Sequence, residues 1–236
     1  MAKQYREVID QVLAVGRTYL MEHESKAVLE CLGITTTGTG VATSEEQAAE
    51  IFESLGSPVA MKVLSPDVVH KSDAGGVKLN LRDADEVRRA YREITHAFLD
   101  KKVAGVSVQK MARPGVEAIV GVANDATFGP ILMFGLGGVF VEVLKDVSFR
   151  SIPISASDAK DMIEEIKGYA LLRGYRGISA DIEALEKLLM TISDYVIKNP
   201  DISEMDLNPV FLYPDGYMVV DARIILGEPR PKPPAP

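Results

Sequence analysis

The chain has 236 residues, 47% of them apolar and 25% charged, which is the composition of an ordinary globular protein and excludes wholesale disorder. Against 34 Asp and Glu stand 26 Lys and Arg, a formal net charge of −8 that disfavours binding to nucleic acid or to an anionic membrane by charge alone. The single cysteine, Cys31, excludes an intramolecular disulfide framework and a four-cysteine zinc site, and it points to a reducing compartment such as the cytosol.

At about 150 residues per domain, this length predicts one bilobed domain or two small ones. No run approaches the roughly 18 consecutive apolar residues of a membrane span, and the first residues open a polar helical pattern instead of an export signal. A soluble, unexported chain is expected.

Glu7 to Tyr19 places Val8, Ile9, Val12, Leu13, Val15 and Tyr19 on one helical face, and Glu24 to Leu32 repeats the pattern until Gly33 stops it. Ser44-Glu45-Glu46-Gln47 reads as a capping box opening a helix to about Leu55. Strand-like runs at Gly40 to Ala42 and Pro58 to Met61 flank that helix, a β-α-β alternation. Val77 to Leu81 alternates as a strand, Asp83 with Glu86 caps a helix to about Asp100, and Gly105 to Met111 reads as another strand.

From Gly115 the rhythm changes to short strands at Glu117 to Val122, Pro130 to Phe134, Val139 to Val143 and Val147 to Ile152, as in an antiparallel sheet. Helices follow at Ser157 to Glu165 and Asp181 to Lys198. A hairpin closes the fold, with Ser203 to Tyr213 and Tyr217 to Leu226 joined by Pro214-Asp215-Gly216. The fold class is α/β with α+β lobes. The expected division is 1–27 as a helical segment packing on the second lobe, 28–111 and 112–226 as the two lobes, and 227–236 as a proline-rich tail, since the last ten residues hold five of the 13 prolines.

The densest chemical cluster runs from Met61 to Asn80. Lys62 sits in an otherwise apolar strand, where its charge costs several kcal/mol unless an anion meets it. A phosphate would satisfy it, and so would solvent if the strand lies at a sheet edge. Gly75-Gly76 precedes a strand, and paired glycines either form a simple turn or let backbone N–H groups approach phosphate oxygens. No Walker A motif occurs, and neither Gly38-Thr-Gly40 nor Gly135-Leu-Gly137-Gly138 completes a dinucleotide fingerprint.

Of three histidines, His23 and His96 lie among charged helical neighbours. His70 lies in the glycine-bearing loop, where an imidazole can act as base, ligand or phosphoryl acceptor. In the closing hairpin, alternation puts Glu204, Asp206 and Asn208 on one face, and the returning strand can bring Asp221 beside Asn208. Such oxygen donors suit Mg²⁺, which takes one or two protein carboxylates with phosphate and water. A solvated hairpin face accounts for them equally well.

The ordered pieces are Glu24 to Ile34, Ala60-Met-Lys62, the His70 to Leu81 segment, Gln109-Lys-Met111, Glu117, the Phe128 to Glu142 segment and Asp206-Leu-Asn208-Pro209 with Asp221. Together they resemble the β subunit of ADP-forming acetyl-CoA (acyl-CoA) synthetases, ATP-grasp proteins related to succinyl-CoA synthetase. The resemblance implies an ATP-grasp fold, two subdomains with a nucleotide cleft between them.

It assigns Lys62, Gly75 and Gly76 to nucleotide phosphates and the segment Val108, Gln109, Lys110, Met111 to adenine, with Glu117 as a further nucleotide contact, and Arg150, after the short strands, is a separate candidate phosphate contact. Asn208 and Asp221 become Mg²⁺ ligands, and Asp206 helps to orient a phosphohistidine. His70, absent from the corresponding loop of succinyl-CoA synthetase, takes phosphate from a histidine of the α subunit and passes it to ADP. The implied reaction is acyl-CoA + ADP + phosphate = acid + ATP + CoA, with ATP/ADP and Mg²⁺ bound here and a CoA-binding α subunit as partner in an α₂β₂ assembly. A self-sufficient ATP-grasp carboxylate ligase and a non-catalytic nucleotide-binding subunit are the rival readings.

Overall fold

The first helix, α1 (Ala2–Ala14), stops sooner than the apolar spacing through Tyr19 predicts. Gly16 takes a φ of 72° and its N–H returns to the Leu13 carbonyl, a left-handed stop that glycine reaches without steric cost. Tyr19 is thereby freed to enter a two-residue strand, β1 (Tyr19–Leu20). Helix α2 (Glu22–Cys31) follows, then β2 (Thr39–Ala42) and α3 (Glu45–Leu55). The capping box at Ser44 forms in altered shape. Ser44 Oγ accepts the Gln47 N–H, but the Gln47 side chain reaches past Ser44 to accept the Thr43 N–H at 2.9 Å.

The computed structural model describes residues 2–65, 75–138, 141, 143–175 and 179–228, so the His70 segment and the proline-rich tail beyond 228 lie outside the described residues. Next in order are β3 (Val59–Leu64), β4 (Val77–Leu81), α4 (Ala84–Ala97) and β5 (Gly105–Lys110). Asp83 caps α4 as its spacing predicts, accepting the Glu86 N–H at 2.8 Å.

These elements form a four-stranded sheet in the order β2-β5-β3-β4 with every pair antiparallel. The β-α-β alternation is therefore present, but β5 is inserted between the two parallel strands that flank α3. Val59, Met61 and Val63 of β3 and Val106 and Val108 of β5 join Ala48, Val87, Ala90 and Ile94 in one core against α3 and α4. Strand alternation puts Lys62, Ser107 and Gln109 on the opposite face of the sheet. The compact unit so built comprises Met21–His23 and Thr37–Arg113.

The second unit comprises Met1–Leu20, Glu24–Thr36 and Pro114–Pro236. Residues 28–36 depart from the expected 28–111 lobe, because Val28, Leu29 and Ile34 are buried in this unit's core beside Ile9 and Val12. Its strands are β6 (Val116–Asp125), β7 (Gly129–Leu136), β8 (Val147–Ser151), β9 (Ile202–Tyr213), β10 (Gly216–Val219) and β11 (Ala222–Leu226). Its later helices are α5 (Ala156–Glu164), α6 (Tyr169–Leu172) and α7 (Ile182–Lys198). With β1 they make a seven-stranded sheet in the order β1-β11-β9-β6-β7-β8, with β10 also on β9. No strand occupies Val143, which lies in a turn with Leu144, and residues 139, 140 and 142 of that expected strand lie outside the described residues. The expected hairpin forms, but its returning arm is broken at Val220-Asp221 into β10 and β11.

Val120, Val122, Leu132, Phe134, Met205 and Leu207 turn one face of this sheet into the core with Ile163, Leu185 and Leu189. A buried carboxylate organises the turn ahead of α6. Asp146, 4% exposed, accepts the N–H groups of Lys167 and Gly168, both at 2.7 Å. A Cβ on Gly168 would stand 2.3 Å from Leu136 Cδ1, so only glycine fits that approach. Asp146→Ala strips both donors of their acceptor and is expected to lower the unfolding free energy by about 2–4 kcal/mol. Urea titration measures this, and a loss below about 1 kcal/mol would contradict the anchoring role.

Arg150 on β8 stands opposite Leu132 and so points to the helix-covered face, where it makes a two-pronged ion pair with Glu165 at 2.9 and 2.8 Å. The guanidinium holds the Glu165 carboxyl below its ordinary range. Because this folded-state pKa is depressed, the pair's stabilisation is present above the unfolded value of 4.5 and fades as pH falls through the folded value. Both side chains are partly exposed, so Arg150→Gln is expected to cost less than about 1 kcal/mol at pH 7. The difference in melting temperature from the parent chain should shrink as pH drops below 4.5; a difference that grows would overturn this reading.

Candidate functional site

In the smaller unit, β3 is buried along its whole length, Lys62 included, and solvent does not satisfy the lysine as it would on an exposed edge. Lys62 stands opposite Ser107 on β5 and Val77 on β4. Its Nζ donates to Glu22 Oε1 at 2.8 Å, with 9% of the Lys62 side chain and 1% of the Glu22 side chain exposed. The anion that balances the buried lysine here is therefore a carboxylate of the chain itself. Ser107, fully buried, donates through Oγ to the Lys62 carbonyl at 3.3 Å, and Gln109 is 2% exposed. Lys62, Ser107 and Gln109 form a buried polar row on a face where an apolar row would be ordinary.

The strands place the described residues that follow the His70 segment. Val63 N–H donates to the Gly76 carbonyl at 2.8 Å, and Lys62 pairs in register with Val77, so the chain after that segment returns beside Lys62. Gly75 has a φ of 75°, a conformation glycine adopts freely. His70 itself lies outside the described residues. In the segment matched to adenine, Val108 turns its side chain into the core while Gln109 shares the Lys62 face. The N–H groups of Lys110 and Met111 already donate to the Gly38 and Pro58 carbonyls.

In the larger unit, Glu204, Asp206 and Asn208 are exposed, alternating with buried Met205 and Leu207. Cross-strand register continues their face through Gly121 and Met133 to Phe149, opposite to the face of Arg150. Arg150 is therefore not brought to Asp206 and Asn208, whereas Glu117, opposite Phe211, is on their side. The glycines after β7 have a packing reason: Gly137 donates to the Glu117 carbonyl at 2.7 Å, and a Cβ there would stand 3.1 Å from Glu117 Cβ.

Asp221 lies in the break between β10 and β11, and its carbonyl accepts the Asn208 N–H at 3.2 Å. Partial burial first, and then the nearby Asp221 charge, raise the Asp206 carboxyl above its ordinary range despite its exposed surface, while Arg223, its partner on β11, opposes them. Asp206 and Asp221 thus lie close enough to feel each other's charge, a repulsion that a divalent cation would relieve, although among the described residues no group of three or more acidic or histidine side chains is placed to hold a metal ion. One amide and one carboxylate, from Asn208 and Asp221, fit the small protein share of a Mg²⁺ shell. Glu22, Ser107 and Arg223 are the residues of these sites that no motif marked. Glu22 reads in sequence as an ordinary polar helix residue, and no spacing ties it to Lys62.

Residues 11–226 match the family model of the ATP-grasp domain. The β subunit of acetate–CoA ligase [ADP-forming] I from Pyrococcus furiosus is 45% identical over 226 residues, covering 94% of this chain and 97% of that subunit. Acetate–CoA ligase [ADP-forming] II from Archaeoglobus fulgidus is 49% identical over 209 residues, which is 89% of this chain but 30% of that ligase, so the chain spans about a third of that longer relative. Among solved structures, acetyl-coenzyme A synthetase 1 of Ca. Korarchaeum cryptofilum superposes with a TM-score of 0.85 at 48% identity over 94% of this chain and 100% of that one. That structure holds coenzyme A and Mg-AMPPCP, and its phosphohistidine segment points towards the nucleotide binding site. A family match over nearly the whole chain, close structural superposition and 45% identity across 97% of a β subunit lead to one conclusion: the chain belongs to the ATP-grasp family, in the group of the ADP-forming acetate–CoA ligase β subunits.

Proposed function

We propose that this chain is the nucleotide-binding β component of an ADP-forming acyl-CoA synthetase, working in the cytosol with a CoA-binding α subunit in an α₂β₂ assembly. The observation that carries this reading is that the strands on either side of the His70 segment pair at the buried Lys62, in a chain that aligns over 94% of its length with 97% of a β subunit.

His70 accepts a phosphoryl group from a histidine of the α subunit. A β-phosphate oxygen of ADP then attacks phosphorus as the P–N bond to His70 breaks, which yields ATP and returns a neutral imidazole. Lys62 supplies positive charge to the transferred group, and the Gly75-Gly76 backbone approaches it without side chains in the way. Gln109 and the neighbouring Val108 to Met111 segment meet the base, with Glu117 on the nucleotide as well. Asn208 and Asp221 hold Mg²⁺, which supplies charge neutralisation at the phosphates, and Asp206 orients the phosphohistidine. Arg150, engaged by Glu165 on the other face of its sheet, is left out of this set.

Incubation with the α subunit, acetyl-CoA and labelled phosphate should place acid-labile label on this chain. His70→Ala should abolish both the label and net ATP synthesis; a variant that keeps either would sink the relay. Asp221→Ala is expected to raise the Mg²⁺ concentration for half-maximal ADP/ATP exchange by about tenfold or more, and an unchanged Mg²⁺ dependence would remove Asp221 from the metal site.

A further inference from the structure

The charge that Lys62 offers to a phosphate is already answered inside the protein. Glu22 and Lys62 belong to the same compact unit, and their contact at 2.8 Å is almost sealed from water. Glu22 opens α2, which places its carboxylate against the buried face of β3 from a position 40 residues away in the chain. Within a low-dielectric setting a carboxylate beside an ammonium cancels most of the field that an approaching anion would feel. It would also repel a phosphate drawn to the same Nζ.

We propose that Glu22 is a positioning residue that holds Lys62 when no nucleotide is bound and competes with the nucleotide phosphates for its ammonium group. This rests on the nucleotide-binding reading of Lys62 given above and adds a device to it. The pair keeps a buried lysine folded while the site is empty. When phosphate arrives, Lys62 exchanges or shares its anion, and when ATP has formed, the waiting carboxylate favours departure of the product. Glu22 thus lowers nucleotide affinity and speeds turnover.

The discriminating variant is Glu22→Gln, which keeps size and a hydrogen-bond acceptor but removes the charge. Calorimetry on the full chain with Mg²⁺ and ADP should show binding roughly tenfold tighter than in the parent. With the α subunit present, both KM for ADP and kcat should fall, a split that mere loss of structure does not produce. In the charge-free pair Glu22→Gln with Lys62→Met, the gain in affinity should disappear.

Equal or weaker ADP binding by a folded E22Q chain overturns the proposal while leaving the nucleotide reading intact. A parent chain that binds no ADP overturns both. Should E22Q not fold, the parent chain labelled with ¹⁵N on its lysine side chains decides. The protected Lys62 ammonium signal should move on saturation with ADP and Mg²⁺, and a signal that saturating ADP leaves in place refutes the exchange.

Discussion

A positive charge buried in the middle of a β-strand has to be met by a negative one, and the smaller unit is built around that requirement. Strand β3 gives Val59, Met61 and Val63 to the core, and the same alternation forces Lys62 onto the other face. Because β5 runs between β2 and β3, its own alternation adds Ser107 and Gln109 to that face. Glu22 then completes the charge balance from a different element. The result is a buried polar row whose members a hydrophobic sheet would have no use for, at the point where the chain after the His70 segment returns to the sheet.

The larger unit poses the opposite electrostatic problem. Its open sheet face gathers Glu204, Asp206 and Asn208 on β9, with Asp221 alongside, and Asp206 is held above its ordinary pKa by burial and by that neighbouring charge. A chain of net charge −8 thus carries its buried lysine already paired with Glu22 and keeps its exposed carboxylates on a different sheet.

Local rules predicted much of the secondary structure well. Asp83 and Ser44 cap the helices their spacing announces, β4 spans the residues its alternation marks, and exposed Glu204, Asp206 and Asn208 alternate with buried partners. The misses have more than one cause. Tyr19 continues an apolar helical period but pairs with β11, and the returning arm of the hairpin breaks at Val220-Asp221 while both its halves still pair with β9. Helix α6 carries too few residues for a period to show. For Tyr19 the decisive partner is remote in sequence, so no local window contains the information.

The sequence alone supplied the candidate residue types for phosphate chemistry and their order: Lys62, His70, Gly75-Gly76, and the Asp206, Asn208 and Asp221 set. Those depend on local spacing and on what each side chain can donate or accept. Alternation also put Glu204, Asp206 and Asn208 on one face with Asp221 returning beside Asn208, but how Arg150 and the Val108–Gln109 pair face was decided only by the tertiary structure. Sheet register sends Arg150 to the helix-covered side and into a pair with Glu165, and keeps Gln109 with Lys62 while Val108 packs in the core. The partner of Lys62 was likewise invisible, because an ion pair between residues 40 positions apart depends on how a helix start meets a strand, and sequence spacing does not encode that meeting.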